Sequence, residues 1–147
     1  YDVDKFGNKR KYLSSTIFHL FLEGVLDKEE EEDIINDLYT CHIKNENEFL
    51  TNYPFPLNSI SEKNIWGYYS KALIALRCSL WMDEYNYSKD YDHLLEMRVK
   101  GLINNYQSNP MAQELDPNDG ISSGASVWYS SSMLLFIYAV RRLNLIK

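Results

Sequence analysis

The stretch ASVWYSSSMLLFIYAVRRLNL, residues 125–145, indicates the fold of this chain. Apolar side chains would surround the helix it forms until Arg141 and Arg142, and a helix that is apolar on every side is a buried one. Its longest uninterrupted apolar run, Met133 to Val140, is too short to span a bilayer, so we expect no membrane partner. The pattern predicts an inner helix of an all-α protein.

Four further helical segments precede this one, and they alternate in kind. The first, from about Lys11 to Val25, and the third, from about Ile65 to Tyr85, are also apolar on more than one side. The second, which follows Asp27 as its N-cap, and the fourth, from about Lys89 to Tyr106, each have one apolar stripe. This alternation of buried and amphipathic helices predicts stacked αα-hairpins, about five helices in all, and no β-strand.

A long connection separates the second and third helices, from Cys41 to Lys63. Its segment Tyr53-Pro54-Phe55-Pro56 cannot pair inside a sheet, because two prolines lack the N–H donor. We interpret it as an extended connection across the end of the bundle, and connections of this length are often functional. The two amphipathic helices can cover only part of the inner helices. We therefore expect earlier helices, or self-association with a second copy of the chain, to cover the rest.

Composition excludes several classes of protein. The 147 residues are enough for one domain with a core, and 45% of them are hydrophobic, which excludes disorder. The net charge of -6 disfavours a nucleic-acid partner. We interpret Cys41 and Cys78 as buried thiols rather than a disulfide. The three histidines share no ligand spacing with them, so we expect no metal and no cofactor. The first residue is Tyr1, and the compartment cannot be inferred.

A decapeptide near the carboxyl end, MAQELDPNDG at residues 111–120, carries the candidate chemistry. Pro117 and Gly120 predict a turn, and Asp116 and Asn118 would fix it through bonds from side chain to backbone. The residues before the turn would stand at the end of an element. Glu114 there could act as an acid or a base, or it could be a surface charge beside a turn.

Four motifs occur in a fixed order: FPLNSIS at 55–61, Trp66-Gly67, QELDPNDG at 113–120 and SVWYS at 126–130. This order resembles the C-terminal part of six-hairpin (α/α)6 glycoside hydrolases. The mannosylglycerate-hydrolase-like and processing-α-glucosidase-like enzymes are the nearest, with trehalase and glucoamylase further off. The resemblance spans roughly 13–145. It implies that residues 1–147 are one helical domain, the closing part of a larger (α/α)6 catalytic toroid.

The resemblance also implies a reaction. Such enzymes usually invert the anomeric carbon of an α-linked carbohydrate with two carboxylates, an acid that protonates the leaving oxygen and a base that activates water. In the family the acid lies earlier in the toroid, and the base stands just before the Asp-Pro turn. The chain would thus supply the general-base wall of the sugar cleft, and we expect the isolated chain to be inactive.

The chain departs from the family pattern at the base. The family's glutamate stands four residues before the proline, where this sequence has Gln113, and Glu114 follows it. We take Glu114 as the candidate base. The alternative is that Gln113 binds a sugar hydroxyl while Glu114 points to solvent or pairs with an arginine. The chain would then be a non-catalytic carbohydrate-binding or interaction domain, or a plain helical scaffold.

Aromatic residues of the motifs could stack on the apolar face of a sugar ring. The candidates are Trp66, Tyr68, Phe55 and Trp128. At Trp66-Gly67 the sequence matches the family, but Tyr68 and Tyr69 replace a small turn. Core packing is the favoured alternative for Trp66, because a buried Trp or Tyr contributes about 150–250 Å² of burial.

Overall fold

A computed structural model describes residues 2–10, 13–60 and 69–146 of the chain, and it confirms a mostly helical protein. Within these residues there are five α-helices and four two-residue strands. The helices are α1 (His19–Leu22), α2 (Glu32–Leu38), α3 (Ala72–Arg77), α4 (Ser88–Asn104) and α5 (Ser130–Arg142). The strands form two antiparallel pairs, β1 (Asp2–Val3) with β2 (Lys9–Arg10) and β3 (Ser70–Lys71) with β4 (Glu114–Leu115). The prediction that the chain has no strand is therefore wrong.

The first predicted helix is much shorter than its apolar pattern suggests. It consists of a 3₁₀ turn, Ser15–Phe18, that continues into α1. The long connection forms a hydrogen bond to the first residue of this 3₁₀ turn: the Ser15 N–H donates to the carbonyl of Leu57 at 2.8 Å. Gly24 has a φ of 60°, a left-handed conformation that ends the helix.

The third predicted helix is interrupted at both ends. Of its first residues, 65–68 lie outside the described part of the chain, and Ser70 belongs to β3. The Ser70 hydroxyl donates to the carbonyl of Pro54 at 2.5 Å, so this residue is tied to the connection rather than to a helical turn. After α3 the helix tightens into a 3₁₀ turn, Cys78–Leu80, and Asn86 at φ 67° reverses the chain before α4.

One local prediction is confirmed, and another is wrong in its position along the chain. The fourth helix was expected over 89–106, and α4 spans Ser88–Asn104. The Asp27 carboxylate accepts from the N–H groups of Glu29 and Glu30 at 2.8 and 2.9 Å, and Glu31 accepts from the N–H of Asp27 at 2.7 Å. Asp27 thus caps the turn at 27–31 and not α2, whose N-cap is Glu31, so the prediction of Asp27 as the N-cap of the second helix is wrong.

The main core is built around Trp81, which has no exposed surface. Phe21 stacks on it with ring centroids 4.7 Å apart, and Phe18 approaches at 5.8 Å. Cys78 is a buried free thiol, as predicted, whereas Cys41 is exposed and its thiol donates to Asp37 at 3.3 Å. Cys41 follows α2 in a wide π turn, Tyr39–Ile43, whose buried side is taken by the two residues at its ends.

Helix α5 is buried on one side only, in contrast to the prediction. Leu135 and Ala139 have no exposed surface, but Leu134 is 58% exposed. The helix also begins later than expected, because the residues before it run beside another segment. The N–H of Tyr129 donates to the carbonyl of Met111 at 3.0 Å, and the N–H of Met111 donates to the carbonyl of Val127 at 3.1 Å. None of the helices in the described residues is long and apolar enough to cross a membrane.

Arg142 at the end of α5 joins this helix to α4. Its Nε donates to Asp92 at 2.5 Å and its Nη2 donates to Asp83 at 2.8 Å. Hydrogen bonding to Arg142 lowers the pKa of Asp83 from 3.8 to about 2. The carboxylate is 45% exposed, so its contribution to stability is at most about 1 kcal/mol.

We predict a pH dependence from this pair. Because the folded-state pKa of Asp83 is lowered, its contribution is complete above the ordinary pKa of 3.8 and is lost as the pH falls through about 2. Asp83→Asn should therefore lower the melting temperature at neutral pH, and this difference from the parent should shrink between those two pH values. Asp33→Asn, in the exposed acidic run, controls for net charge. A difference independent of pH would contradict the prediction.

Candidate functional site

The residues before the Asp-Pro turn form the central segment of a small three-segment arrangement. The carbonyl of Gln113 accepts from the N–H of Ala72 at 3.2 Å, on the β3 side. On the other side, the N–H of Gln113 donates to the carbonyl of Ser126 at 3.4 Å, and the N–H of Asp116 donates to that of Ile121 at 2.8 Å. Both edges of 113–116 are thus hydrogen-bonded, so the position of Glu114 is fixed by its backbone.

The predicted turn at 116–120 is present. The Asp116 carboxylate accepts from the N–H of Asn118 at 2.8 Å, and the N–H of Gly120 donates to the carbonyl of Asp116 at 3.0 Å. Gly120 has a φ of 74°, which explains why glycine stands there. Under the turn lies a second, smaller core formed by Tyr53, Leu102, Ala112 and Leu115.

The Glu114 carboxylate has a partner on each oxygen. Oε1 is paired with the ammonium of Lys71, which faces it from β3. Oε2 accepts a hydrogen bond from the hydroxyl of Ser123 at 2.9 Å. The Glu114 side chain is 12% exposed, and that of Lys71 is 22% exposed. Glu114 therefore neither points freely to solvent nor pairs with an arginine, the two possibilities considered as alternatives to a base.

Arg98 of α4 lies behind this segment and is 2% exposed. Its guanidinium donates to the carbonyls of Ser70 at 2.9 Å, Ala112 at 3.2 Å and Gln113 at 3.0 Å. Burial lowers the pKa of Arg98 to about 9, and the negative charge of Glu114 acts in the opposite direction. At neutral pH the group remains a cation. It thus holds β3 and the strand that carries Glu114 together from inside.

Sequence reasoning did not single out Arg98. The signal was nevertheless available, because Arg98 follows Leu95 by three positions and precedes Leu102 by four, on the buried side of an amphipathic helix. A cation at such a position needs internal acceptors. The sequence does not reveal which acceptors, since they come from two segments distant along the chain.

The predicted sugar-contacting residues differ in exposure and do not all lie beside Glu114. Gln113 is partly buried next to Glu114, and Trp128 is 66% exposed on the segment that pairs with Met111. Phe55 is fully buried, with its ring centroid 4.9 Å from that of Phe18, so no face of the ring is open to a sugar. Trp66 and Tyr68 lie outside the described residues. The structure thus brings Glu114, Gln113 and Trp128 to neighbouring segments and assigns Phe55 to the core.

Other polar groups do not form a competing centre. No group of three or more His, Cys, Asp or Glu within the described ranges is arranged to hold a metal ion. Two open grooves lie on either side of Asn86 and Tyr87, one lined by residues that include Lys28 and Glu32, the other by Lys44 and Asp90. Both are at the amino end of α4, about 15 Å along the helix from Arg98 at 1.5 Å per residue.

No protein-family model matches this sequence, and a comparison with curated proteins gives no match either. The fold and the site define a mostly helical domain. It presents a carboxylate paired with a lysine, on a strand that a buried arginine holds in place.

Proposed function

We propose that this chain forms one wall of the sugar cleft of an inverting glycoside hydrolase that acts on α-linked carbohydrate, with its helices as part of an (α/α)6 toroid. One observation carries the proposal. Glu114, a partly exposed carboxylate, stands directly before the Asp-Pro turn on a segment that is hydrogen-bonded along both edges. General bases need such a fixed position, because small displacements of a catalytic group lower the rate steeply.

Glu114 would act as the base that activates water. Its carboxylate would remove a proton from water while the water oxygen bonds to the anomeric carbon and the bond from that carbon to the leaving oxygen breaks. A carboxylic acid outside this chain would protonate the leaving oxygen. Oε2 is the suitable oxygen, because its partner is the neutral hydroxyl of Ser123, which water can replace at lower cost than the ammonium of Lys71 on Oε1.

Two neighbours would bind the sugar in this arrangement. The amide of Gln113 can both donate to and accept from a sugar hydroxyl. The exposed indole of Trp128 offers an apolar face on which a pyranose ring can stack. Lys71 would orient the carboxylate without touching the substrate.

A second candidate is a non-catalytic carbohydrate-binding domain. The observation in its favour is that both oxygens of Glu114 already have partners, with which a reacting water would have to compete. In that case Gln113, which stands where the family has its glutamate, would mark the loss of the base, and Trp128 would still bind sugar.

We predict that Glu114→Gln in the full-length natural protein lowers kcat for 4-nitrophenyl α-glycosides about 10²–10⁴-fold and leaves KM nearly unchanged, because an amide cannot accept the proton from water. The matched control is Glu96→Gln, an exposed glutamate of α4. Hydrolysis is followed by release of nitrophenol, and the anomer first formed is identified by NMR.

The two candidates give different outcomes in this experiment. Full activity in Glu114→Gln removes Glu114 as the base. An inactive parent that gains hydrolysis only through Gln113→Glu supports the non-catalytic candidate. A product that keeps the anomeric configuration contradicts the inverting mechanism itself.

A further inference from the structure

The exposed sides of α3 and α5 form an apolar surface. Helix α3 packs along α5, and both bury their opposite sides in the main core, through Ala72 and Ala75 in one and Leu135 and Ala139 in the other. Their exposed stripes therefore face outward on the same side. We name this surface the α3–α5 face. Its large apolar side chains, with their exposed fractions, are Leu73 (37%), Leu80 (68%), Met133 (42%), Leu134 (58%) and Ile137 (46%).

The spacing of these residues matches a surface for another helix. Met133 and Ile137 are four residues apart on α5, and side chains at this spacing stand in line on an α-helix. Leu73 lies on α3, and Leu80 lies in the 3₁₀ turn that follows it. An amphipathic helix is recognised when its apolar face packs against apolar side chains of this kind. Contiguous exposed apolar surface of this kind marks interaction sites.

The charge of the α3–α5 face differs from that of the whole chain. Residues 72–80 and 130–142 contain no Asp or Glu, although the net charge of the chain is -6. Arg77 lies four residues after Leu73, and Arg141 lies four residues after Ile137; both are exposed. The neighbouring Arg142 differs, because Asp83 and Asp92 already neutralise it. The face is thus apolar, with a positive charge in the last turn of each helix.

We propose that the α3–α5 face docks an amphipathic α-helix whose apolar stripe is flanked by acidic residues. Apolar complementarity follows from the two stripes, and the acidic flanks follow from Arg77 and Arg141. A second copy of this chain is the less suitable occupant. A two-fold contact would bring the same face of the copy, and with it two more arginines and no acid. The proposal does not rest on the proposed sugar cleft, because it uses neither Glu114 nor Lys71, the residue that directly precedes α3.

The test uses two labelled helical peptides of 21 residues. Both carry leucine at i, i+3, i+4 and i+7; one has glutamates beside the stripe and the other has lysines. Fluorescence anisotropy with the full chain should show the glutamate peptide binding at least about tenfold more tightly, and raising the salt concentration should reduce this preference. Arg77→Glu with Arg141→Glu should reverse the preference. Leu134→Ser with Ile137→Ser should abolish binding of both peptides.

A matched control keeps the outcome clear. Lys100→Glu with Ile103→Ser makes the same kinds of change on the exposed side of α4 and should leave the preference intact. Circular dichroism shows which variants remain folded; the arginine reversal is decisive even if the serine pair unfolds, because it predicts a gain of binding to the lysine peptide. Equal affinity for both peptides, or no binding, overturns the proposal. So does sedimentation that shows a dimer of the parent lost in Leu134→Ser with Ile137→Ser.

Discussion

Gly120→Ala should lower the free energy of unfolding by about 3–5 kcal/mol, whereas Gly124→Ala should cost only about 1–2 kcal/mol. The two glycines have nearly the same left-handed backbone, with φ of 74° and 76°. An alanine is strained at either position. They differ in their surroundings, and this difference makes them a matched pair.

The ring of Tyr53 accounts for the larger effect at Gly120. A Cβ at this position would lie 2.3 Å from the Cζ atom of Tyr53 and within 2.6 Å of both neighbouring ring carbons, while a Cβ at Gly124 would meet nothing within 4 Å. Tyr53 is 7% exposed, and its N–H donates to the carbonyl of Pro117 at 2.9 Å. The ring therefore cannot move away without opening the small core under the turn.

Urea denaturation of the parent and both variants measures the effect. We expect the midpoint of Gly120→Ala to fall well below that of Gly124→Ala, with similar slopes for the two transitions. Equal losses in the two variants would mean that backbone strain alone determines the cost and that Tyr53 does not pack against the turn.

The parts of the fold that the sequence predicts are those determined by neighbouring residues. The amphipathic stripe of α4 and the turn from Asp116 to Gly120 both depend on residues within a few positions of each other. For these, periodicity and glycine or proline are sufficient signals. The mostly helical class follows from the same local patterns.

The predicted helix boundaries are wrong where segments distant along the chain form backbone hydrogen bonds with each other. Residues 70–71 lie in a stretch of sequence whose apolar pattern predicts a helix. They nevertheless pair as a strand with residues 114–115, more than forty positions later. The start of α5 is displaced because Met111 pairs with the preceding segment. Apolar periodicity cannot distinguish a buried helix from one that keeps an exposed apolar side, and α5 proves to be the second kind.

The candidate site was likewise predictable from the sequence only in its local part. The position of Glu114 before a turn was predictable from the order Gln-Glu-Leu-Asp-Pro, but its partners were not. Lys71 and Ser123 reach the carboxylate from segments on opposite sides, and Arg98 reaches the backbone from α4. Only the folded arrangement brings these three groups to one strand.

Substitution of Arg98 should have the second large effect on stability. Arg98→Met should lower the free energy of unfolding by about 3 kcal/mol, because the loss of a buried donor leaves acceptors poorly paired at about 1–3 kcal/mol each, partly offset by removal of a buried charge. The carbonyls concerned are those of Ser70, Ala112 and Gln113. Arg98→Lys should be intermediate, since an ammonium lacks the planar fork that reaches both strands at once.

Hydrogen exchange separates this role of Arg98 from simple packing. In Arg98→Met the N–H groups of Ala72 and Gln113, which donate across the edges of the segment, should lose protection beyond the global change, while those in the middle of α2 should not. Lys100→Met, on the exposed side of the same helix, should change stability by less than about 0.5 kcal/mol. A uniform loss of protection would assign Arg98 to the core alone. Selective loss at these two amides would mean that the guanidinium holds the strand on which Glu114 stands.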